Sequence, residues 1–356
     1  DLHPRVRRQR QMCIRDSYYC YSSTMSDVMK KISILSFFAV ILISVVACSD
    51  EDNGALQNDL IKRTMSPLIV GEKINFAYAA GTSDSKLSMM CVEASVPGGE
   101  GTNFEPYAWH TENGVDKSEV VASDCRTEGR TSSAKIIDSQ ATTLRYYYVI
   151  PEEVRGKKVS FVFSTVSENG EKVSYRTPSY NVSAMDMRKL ISLSGEEDGS
   201  RYFSIEDMKA YTKNEVISGN LFSKIDFIYA YAPKKNVNGN SYDYKHAFFA
   251  PAAEGFYPDD FVLPSGIEKK KTLMDKKLYV WDGQLKDDVN TDIYVDDLDL
   301  RSQTFENSVD YVLDIRAEGG VFMKTSDGKY AAYIYINSLD TNNKKAIIGI
   351  KRLRLE

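Results

Sequence analysis

Short segments with alternating apolar and polar residues place the strongest constraint on the fold of this chain. A two-residue period puts successive side chains on opposite faces of a strand. It runs through residues 73–78, 90–96 and 158–166, and Glu168-Asn169-Gly170 supplies a hairpin turn. Such strands recur roughly every ten residues without a long helical period, which predicts an immunoglobulin-like β-sandwich over residues 63–184.

The pattern becomes mixed over residues 185–356. Ser204-Ile205-Glu206-Asp207 resembles a capping box and predicts a helix that continues to about Ile217. Apolar strands are predicted at 224–231 and 244–250, and the turn Ser326-Asp327-Gly328 predicts a hairpin. The predicted fold class is therefore mainly β: a sandwich followed by an α+β domain with a largely antiparallel sheet.

The N-terminal region indicates where the protein is located. Lys30 and Lys31 precede an apolar run over residues 32–46, which is typical of a secretory signal rather than a membrane span. Cys48 follows Val45-Val46-Ala47, and this pattern resembles the lipobox of bacterial lipoproteins. The resemblance implies a signal peptide over residues 29–47 and a mature N-terminus that is acylated at Cys48, so the membrane is contacted through lipid alone.

Residues 48–62 are expected to form an acidic, flexible tether. The run Ser49-Asp50-Glu51-Asp52 resembles the signal that sends Bacteroidetes lipoproteins to the outer face of the outer membrane. A like-charged spacer explains the same composition without any signal, so the periplasmic leaflet stays open as an alternative. Residues 1–28 fit neither a targeting nor a folding pattern and are interpreted as a non-native leader.

Four segments support a broader resemblance: 145–164 (RYYYVIPEEVRGKKVSFVFS), 201–208 (RYFSIEDM), 293–300 (IYVDDLDL) and 319–338 (GGVFMKTSDGKYAAYIYINS). Together they resemble a family of Bacteroidetes surface lipoproteins of unknown function. The resemblance implies lipid anchoring and a sandwich joined to a second domain, and it assigns no catalytic residues.

Charge narrows the class of partner. The formal net charge is −5, and residues 1–47 contain more basic than acidic residues, so the remainder is more acidic still. Nucleic acids and anionic membrane surfaces require clustered Lys and Arg, and we therefore expect neither as a partner.

Cys91 and Cys125 are the cysteines beyond the lipidation site, and in an oxidising compartment they form a candidate disulfide. The sequence does not show whether their Cα atoms come within bridging range. The two histidines beyond the leader are too few for a multi-histidine metal site, and His246 is expected to be a hydrogen-bonded core residue. Neither a nucleophile elbow nor a P-loop occurs in the sequence.

An acidic cluster offers one candidate metal site. Oxygen-bearing side chains occupy positions 1, 3, 5, 9 and 12 of a potential calcium loop: Asp288, Asn290, Asp292, Asp296 and Asp299. Ile293 stands where such a loop needs glycine, and an aspartate replaces the final glutamate. The sequence therefore favours a solvated acidic turn over a Ca²⁺ site, and no other cofactor is expected.

The two tryptophans offer candidate ligand sites. Trp109 with Tyr107, and Trp281, lie beside polar, turn-like sequence, where an aromatic face flanked by polar groups can hold a sugar. A large aromatic residue is more often part of the core, which is the competing interpretation.

These features favour a lipid-anchored surface protein with a non-catalytic role in binding or adhesion, with glycan or a surface protein as partner. A surface glycoside hydrolase is the second hypothesis, and it requires two facing carboxylates in a cleft. The third is a fimbrial subunit-like lipoprotein, which requires an incomplete sheet open to strand exchange.

Overall fold

Antiparallel strands dominate the computed structural model, which describes residues 55–237, 239–287 and 293–355. Strand content is 49% and helix content 7%, which confirms the predicted mainly β fold class. The signal peptide, Cys48 and residues 48–54 of the tether lie outside the described residues. Within the described residues, no helix is long and apolar enough to cross a bilayer.

The N-terminal half contains two principal sheets. Its strands are β1 Gln57–Lys62, β2 Lys73–Gly81, β3 Leu87–Ala94, β4 Asn103–Phe104, β5 Tyr107–Glu112, β6 Val115–Val120, β7 Ala122–Glu128, β8 Thr131–Ile136, β9 Ala141–Val149, β10 Lys158–Val159, β11 Phe161–Ser167, β12 Lys172–Arg176 and β13 Tyr180–Asn181. One sheet has the order β1-β2-β9-β4 and the other β12-β11-β3-β8-β7, while β10-β13 and β5-β6 form separate pairs.

Strand alternation builds the core of this sandwich. Tyr146 and Tyr148 of β9 are buried, whereas Tyr147 between them lies on the outer face, as a two-residue period requires. The buried rings meet edge-on: Tyr148 and Phe161 have centroids 4.9 Å apart, and Phe76 and Phe161 5.0 Å apart. The predicted turn at Asn169-Gly170 is confirmed, because Ser167 N donates to Glu171 O across it.

The C-terminal half contains two five-stranded sheets and, among the described residues, three short α-helices. Its strands are β14 Asp186–Ser194, β15 Tyr202–Ser204, β16 Lys209–Tyr211, β17 Phe227–Val237, β18 Asn240–Phe249, β19 Leu273–Lys277, β20 Tyr311–Val312, β21 Gly320–Lys324, β22 Tyr330–Asp340 and β23 Lys345–Arg354; its helices are α1 Lys213–Ser218, α2 Gly283–Lys286 and α3 Asp297–Ser302. The sheets have the orders β14-β23-β22-β21-β19 and β16-β15-β17-β18-β20.

The helix predicted from Ser204 to Ile217 is wrong over most of its length. Ser204 Oγ does accept a hydrogen bond from Asp207 N at 3.1 Å, but the segment forms the turn of the β15–β16 hairpin. Met208 has a positive φ of 46°, which ends any helix there. The helix instead begins after Thr212, which forms a capping box with Glu215. Pairing of β16 with β15 overrides the local helical pattern.

The two halves make specific contacts where they meet. Arg155 pairs with Asp186 at 2.7 Å and donates to Met185 O at 3.1 Å, and Gln284 Nε2 donates to Pro67 O at 3.2 Å. Ile69 of the N-terminal half packs into a buried cluster with residues of the C-terminal half, among them Leu285. These contacts join the two halves within one compact unit that spans Leu56–Glu356.

Candidate functional site

The β5–β6 hairpin stands out because almost all of its residues are exposed. Eleven of the twelve strand residues are exposed, although they include Tyr107, Trp109 and Val120. The antiparallel register places Trp109 opposite Ser118 and Tyr107 opposite Val120, so these four side chains share one face. A lone two-stranded hairpin is only marginally stable in water, so its attachment to the sandwich matters.

The side chain of Trp109 contributes to that attachment. The Arg145 guanidinium on β9 lies over the Trp109 ring, with Cζ 4.7 Å from the ring centroid. The indole Nε1 donates to Glu105 Oε2 at 2.9 Å, and the Tyr147 hydroxyl donates to the other oxygen, Oε1, at 2.8 Å. We call Lys73, Glu105, Trp109, Arg145 and Tyr147 the Trp109 platform.

The platform combines a fixed aromatic ring with several polar groups. Trp109 is 43% exposed, although the hydrogen bond from its Nε1 to Glu105 and the contact with Arg145 hold the ring in one orientation. Lys73 Nζ lies 5.4 Å from the Tyr147 ring centroid. Burial, together with the hydrogen bond to Glu105, raises the pKa of Tyr147, which therefore keeps its proton and remains a donor. The arrangement suits a ligand that has both an apolar face and hydroxyl groups.

Trp281 lies in a different environment from Trp109. It is partly buried in the C-terminal half, and Lys286 Nζ lies 4.3 Å from its ring centroid. The next residue, Asp282, is fully buried and caps α2 by accepting from Leu285 N at 2.9 Å. Of the predicted aromatic sites, the structure therefore builds a polar platform around Trp109, and Tyr107 lies on the same hairpin face.

The described part of the predicted calcium loop caps a helix. Asp296 and Asp299 form the capping box of α3: Asp296 Oδ1 accepts from Leu298 N and Asp299 N, and Asp299 Oδ2 accepts from Asp296 N. Asp288, Asn290 and Asp292 lie outside the described residues. Among the residues that are described, no three metal-binding side chains cluster.

The candidate disulfide is a second correction, because the structure shows Cys91 and Cys125 as free thiols. Cys91 lies on β3 and Cys125 on β7, and β8 runs between these two strands. Two strand spacings separate Cα atoms by roughly 10 Å, beyond the range of about 4.4–6.8 Å that a disulfide spans. Burial raises the pKa of both thiols, so neither is an activated nucleophile.

A charged cleft in the C-terminal half escaped the sequence-based prediction. It encloses about 40 Å³, and its lining alternates acidic and basic side chains with two hydroxyl groups: Glu206, Lys224, Asp226, Lys270, Thr325, Asp327, Lys329 and Tyr330. We call it the Asp226 cleft. The signal in the sequence was a carboxylate inside an apolar strand segment, KIDFIYAY, and only strand pairing shows what surrounds it.

Two carboxyl groups of this cleft have pKa values shifted in opposite directions. Asp226 is 3% exposed, and burial raises its pKa to about 6, although Ile205 N donates to it at 2.7 Å and Lys270 Nζ lies 3.8 Å away.

Burial also opposes ionisation of Asp327, but hydrogen bonds from Thr325 Oγ1 and Lys329 N lower its pKa to about 2. Such divergence is typical of acid–base pairs, but a cavity of this volume holds about one water molecule rather than a sugar ring.

His246 fits its predicted role as a hydrogen-bonded core residue. It is 3% exposed, its Nδ1 lies 2.6 Å from the Tyr229 hydroxyl, and its Nε2 lies 3.1 Å from Thr341 Oγ1. Burial lowers the pKa of His246, so the ring is neutral near pH 7.

Two family models match the sequence. Residues 53–182 match a domain of unknown function, DUF4466, and residues 183–355 match a second, DUF8576. A DUF4466 family protein from Parabacteroides merdae has a crystal structure with 35% sequence identity and a TM-score of 0.75, and the alignment covers 85% of this chain and 99% of that one. No curated protein matches the chain.

Two further solved structures are far less similar. The sporulation control protein Spo0M of Bacillus subtilis is 12% identical with a TM-score of 0.23, over 40% of this chain and 60% of that one. BcpA, the major pilin subunit of Bacillus cereus, is 10% identical with a TM-score of 0.27, over 54% of this chain and 63% of that one. Similarity at this level supports no functional argument.

Proposed function

Because this chain belongs to the DUF4466 family, whose function is unknown, we propose a role from its own residues: a lipid-anchored surface module that binds carbohydrate on the Trp109 platform. The observation that carries the proposal is a half-exposed indole held in one orientation by Arg145 and Glu105. A rigid aromatic face with polar groups around it is how proteins hold sugars, because the C–H face of a sugar stacks on the ring while its hydroxyls form hydrogen bonds.

The proposed location rests on the sequence pattern around Cys48. The apolar run 32–46 and the cysteine after Ala47 support a lipid anchor, and the acidic run that follows supports display on the outer face. The relative from Parabacteroides, a member of the Bacteroidetes, has the lineage that the lipobox and the acidic run suggest. In this proposal the tether holds the domains away from the membrane, so the exposed hairpin is free to contact a ligand.

A surface glycoside hydrolase is the second candidate function. The opposite pKa shifts of Asp226 and Asp327 in one cleft favour it, since an acid and a base are needed together. The small cleft volume opposes it. A fimbrial role has less support, because β1 pairs with β2 along its whole length and thus leaves no strand displaced at this edge.

The decisive experiment compares Trp109→Ala with the matched variant Trp281→Ala. We expect polysaccharides to raise the melting temperature of the wild type and of Trp281→Ala but not of Trp109→Ala. A ligand at a hundredfold excess over Kd stabilises the native state by about 2.7 kcal/mol, which is readily measured. Without ligand, Trp109→Ala is expected to lose only about 1 kcal/mol, because nearly half of the side chain is already in water.

The same samples separate the two candidate functions. A melting shift without released reducing sugar supports a binding module, whereas released sugar that disappears in Asp226→Asn supports the hydrolase. A glycan-dependent shift that persists in Trp109→Ala would exclude the platform as the binding site. A calcium requirement that is lost in Asp288→Ala would restore the metal hypothesis for the acidic loop.

A further inference from the structure

Arg201 is a buried cation for which the described residues provide no ion-pair partner. It stands directly before β15, is 9% exposed, and its Nε is enclosed without any hydrogen-bond partner. Among the described residues, no acidic side chain forms an ion pair with it; the nearby acids Glu196, Glu197 and Asp260 act on it only at longer range. These three are exposed, and Glu196 already pairs with Lys344 at 3.5 Å.

The side chain of Arg201 lies against an aromatic cluster, and its backbone is held by a hydrogen bond. The guanidinium Cζ lies 5.3 Å from the Phe261 ring centroid. Phe261 in turn packs against Tyr257, with centroids 5.1 Å apart, and against Tyr202 at 6.3 Å. The backbone is fixed by a hydrogen bond from Tyr229 N to Arg201 O at 2.9 Å.

A buried charge without a counterion destabilises the native state, and a buried donor without an acceptor adds to that destabilisation. A single cation–π contact offsets only part of this destabilisation. Residues that weaken the fold in this way are expected at sites of function, where a ligand supplies the missing group.

We propose that Arg201 is the anchor of a second ligand site, which binds a monovalent carboxylate between the 195–200 loop and the 257–261 loop. A guanidinium matches a carboxylate through two parallel hydrogen bonds. The exposed acids Glu196, Glu197 and Asp260 disfavour a doubly charged phosphate, while the Phe261 ring can contact the carbon skeleton of an organic acid. This site lies in the C-terminal half and does not depend on the Trp109 platform.

The first test is the stability of Arg201→Met without ligand. Methionine fills similar space and needs no counterion, so we expect the melting temperature to rise or stay unchanged. The matched control is Arg316→Met, where the arginine is exposed and paired with Asp314 at 3.1 Å, and no change is expected. A clear fall in melting temperature for Arg201→Met alone would assign Arg201 a structural role and overturn the proposal.

The second test is binding of D-glucuronate and benzoate at constant ionic strength, with glucose, benzamide and inorganic phosphate as comparisons. We expect a carboxylate to raise the melting temperature of the wild type and of Trp109→Ala alike. Arg201→Lys keeps the charge but loses the paired donors, and we expect about 10- to 100-fold weaker binding. Equal shifts with the neutral analogues or with phosphate, no shift with any carboxylate, or a shift retained in both Arg201 variants would overturn the proposal.

Discussion

The N-terminal half buries hydroxyl groups, whereas the C-terminal half buries charges. Among the described residues, the buried polar side chains before residue 183 are all Ser or Thr: Thr82, Thr102, Ser132, Thr165, Ser167 and Thr177. Those after residue 183 include five ionisable groups: Arg201, Asp226, His246, Asp282 and Lys351. A hydroxyl is easily satisfied inside a core, but a charge needs a specific partner.

The difference indicates where each half can hold a ligand. In the sandwich, charged groups such as Arg145 and Glu105 lie at the surface, where they can bind a ligand with little effect on folding. In the C-terminal half the same residue types hold the structure together, or stay unpaired at the proposed Arg201 site. Stability measurements on matched variants of the two halves test this comparison.

The largest effect is expected for Lys351→Met. Lys351 Nζ and Asp282 Oδ2 lie 2.6 Å apart with both side chains fully buried, and Val295 O accepts a second bond from Lys351 at 2.9 Å. Removing the lysine leaves the Asp282 charge uncompensated, so we expect a loss of about 3–5 kcal/mol in urea unfolding. Lys117→Met, at the exposed pair with Glu112, should change little. Equal losses in both variants would contradict the comparison.

A smaller effect, of opposite sign, is expected for Asp226→Asn. Since the folded-state pKa of Asp226 is raised to about 6, the native state binds more protons than the unfolded state between roughly pH 4 and 6. The free energy of unfolding of the wild type therefore falls as pH rises through that window. Asp226→Asn should lack this fall and exceed the wild type in free energy of unfolding near pH 7 by roughly 3 kcal/mol.

Asp327→Asn is the control in the same cleft. Its lowered pKa, about 2, means that the ionised group contributes stability above the unfolded pKa, which is lost as pH falls through about 2. Asp327→Asn should therefore be less stable than the wild type near pH 7. Unfolding curves at pH 4 and pH 7 for both variants provide the measurement. Changes of the same sign in the free energy of unfolding would show that burial does not govern the pKa of Asp226.

No effect is expected from reductant. Because β8 separates Cys91 from Cys125, the melting temperature should be the same with and without dithiothreitol, and Cys91→Ser should behave like the wild type under both conditions. A reductant-dependent fall in melting temperature, abolished by Cys91→Ser, would show that the thiols do meet.

Features that depend on nearby residues could be predicted from the sequence. The two-residue period over residues 158–166 predicted the alternating burial that β11 shows, and Asn169-Gly170 was sufficient to predict a tight turn. The local helical pattern after Ser204 failed, because residues 209–211 pair with β15 and form strand β16 instead of a helix. Cys91 and Cys125 were a candidate disulfide because they are the two cysteines beyond the lipidation site, but whether they meet depends on the order of the strands.

The sequence by itself determined the mainly β character and the tight turn at Asn169-Gly170, because these depend on side-chain alternation and turn chemistry within short segments. Tertiary structure alone decided which charges meet. The folding together of segments distant in sequence places Asp226 beside Lys270 and Lys351 beside Asp282. It also leaves Arg201 without an ion-pair partner among the described residues. Burial and electrostatic interaction depend on distance in space, and that distance is unknown until the sheets have formed.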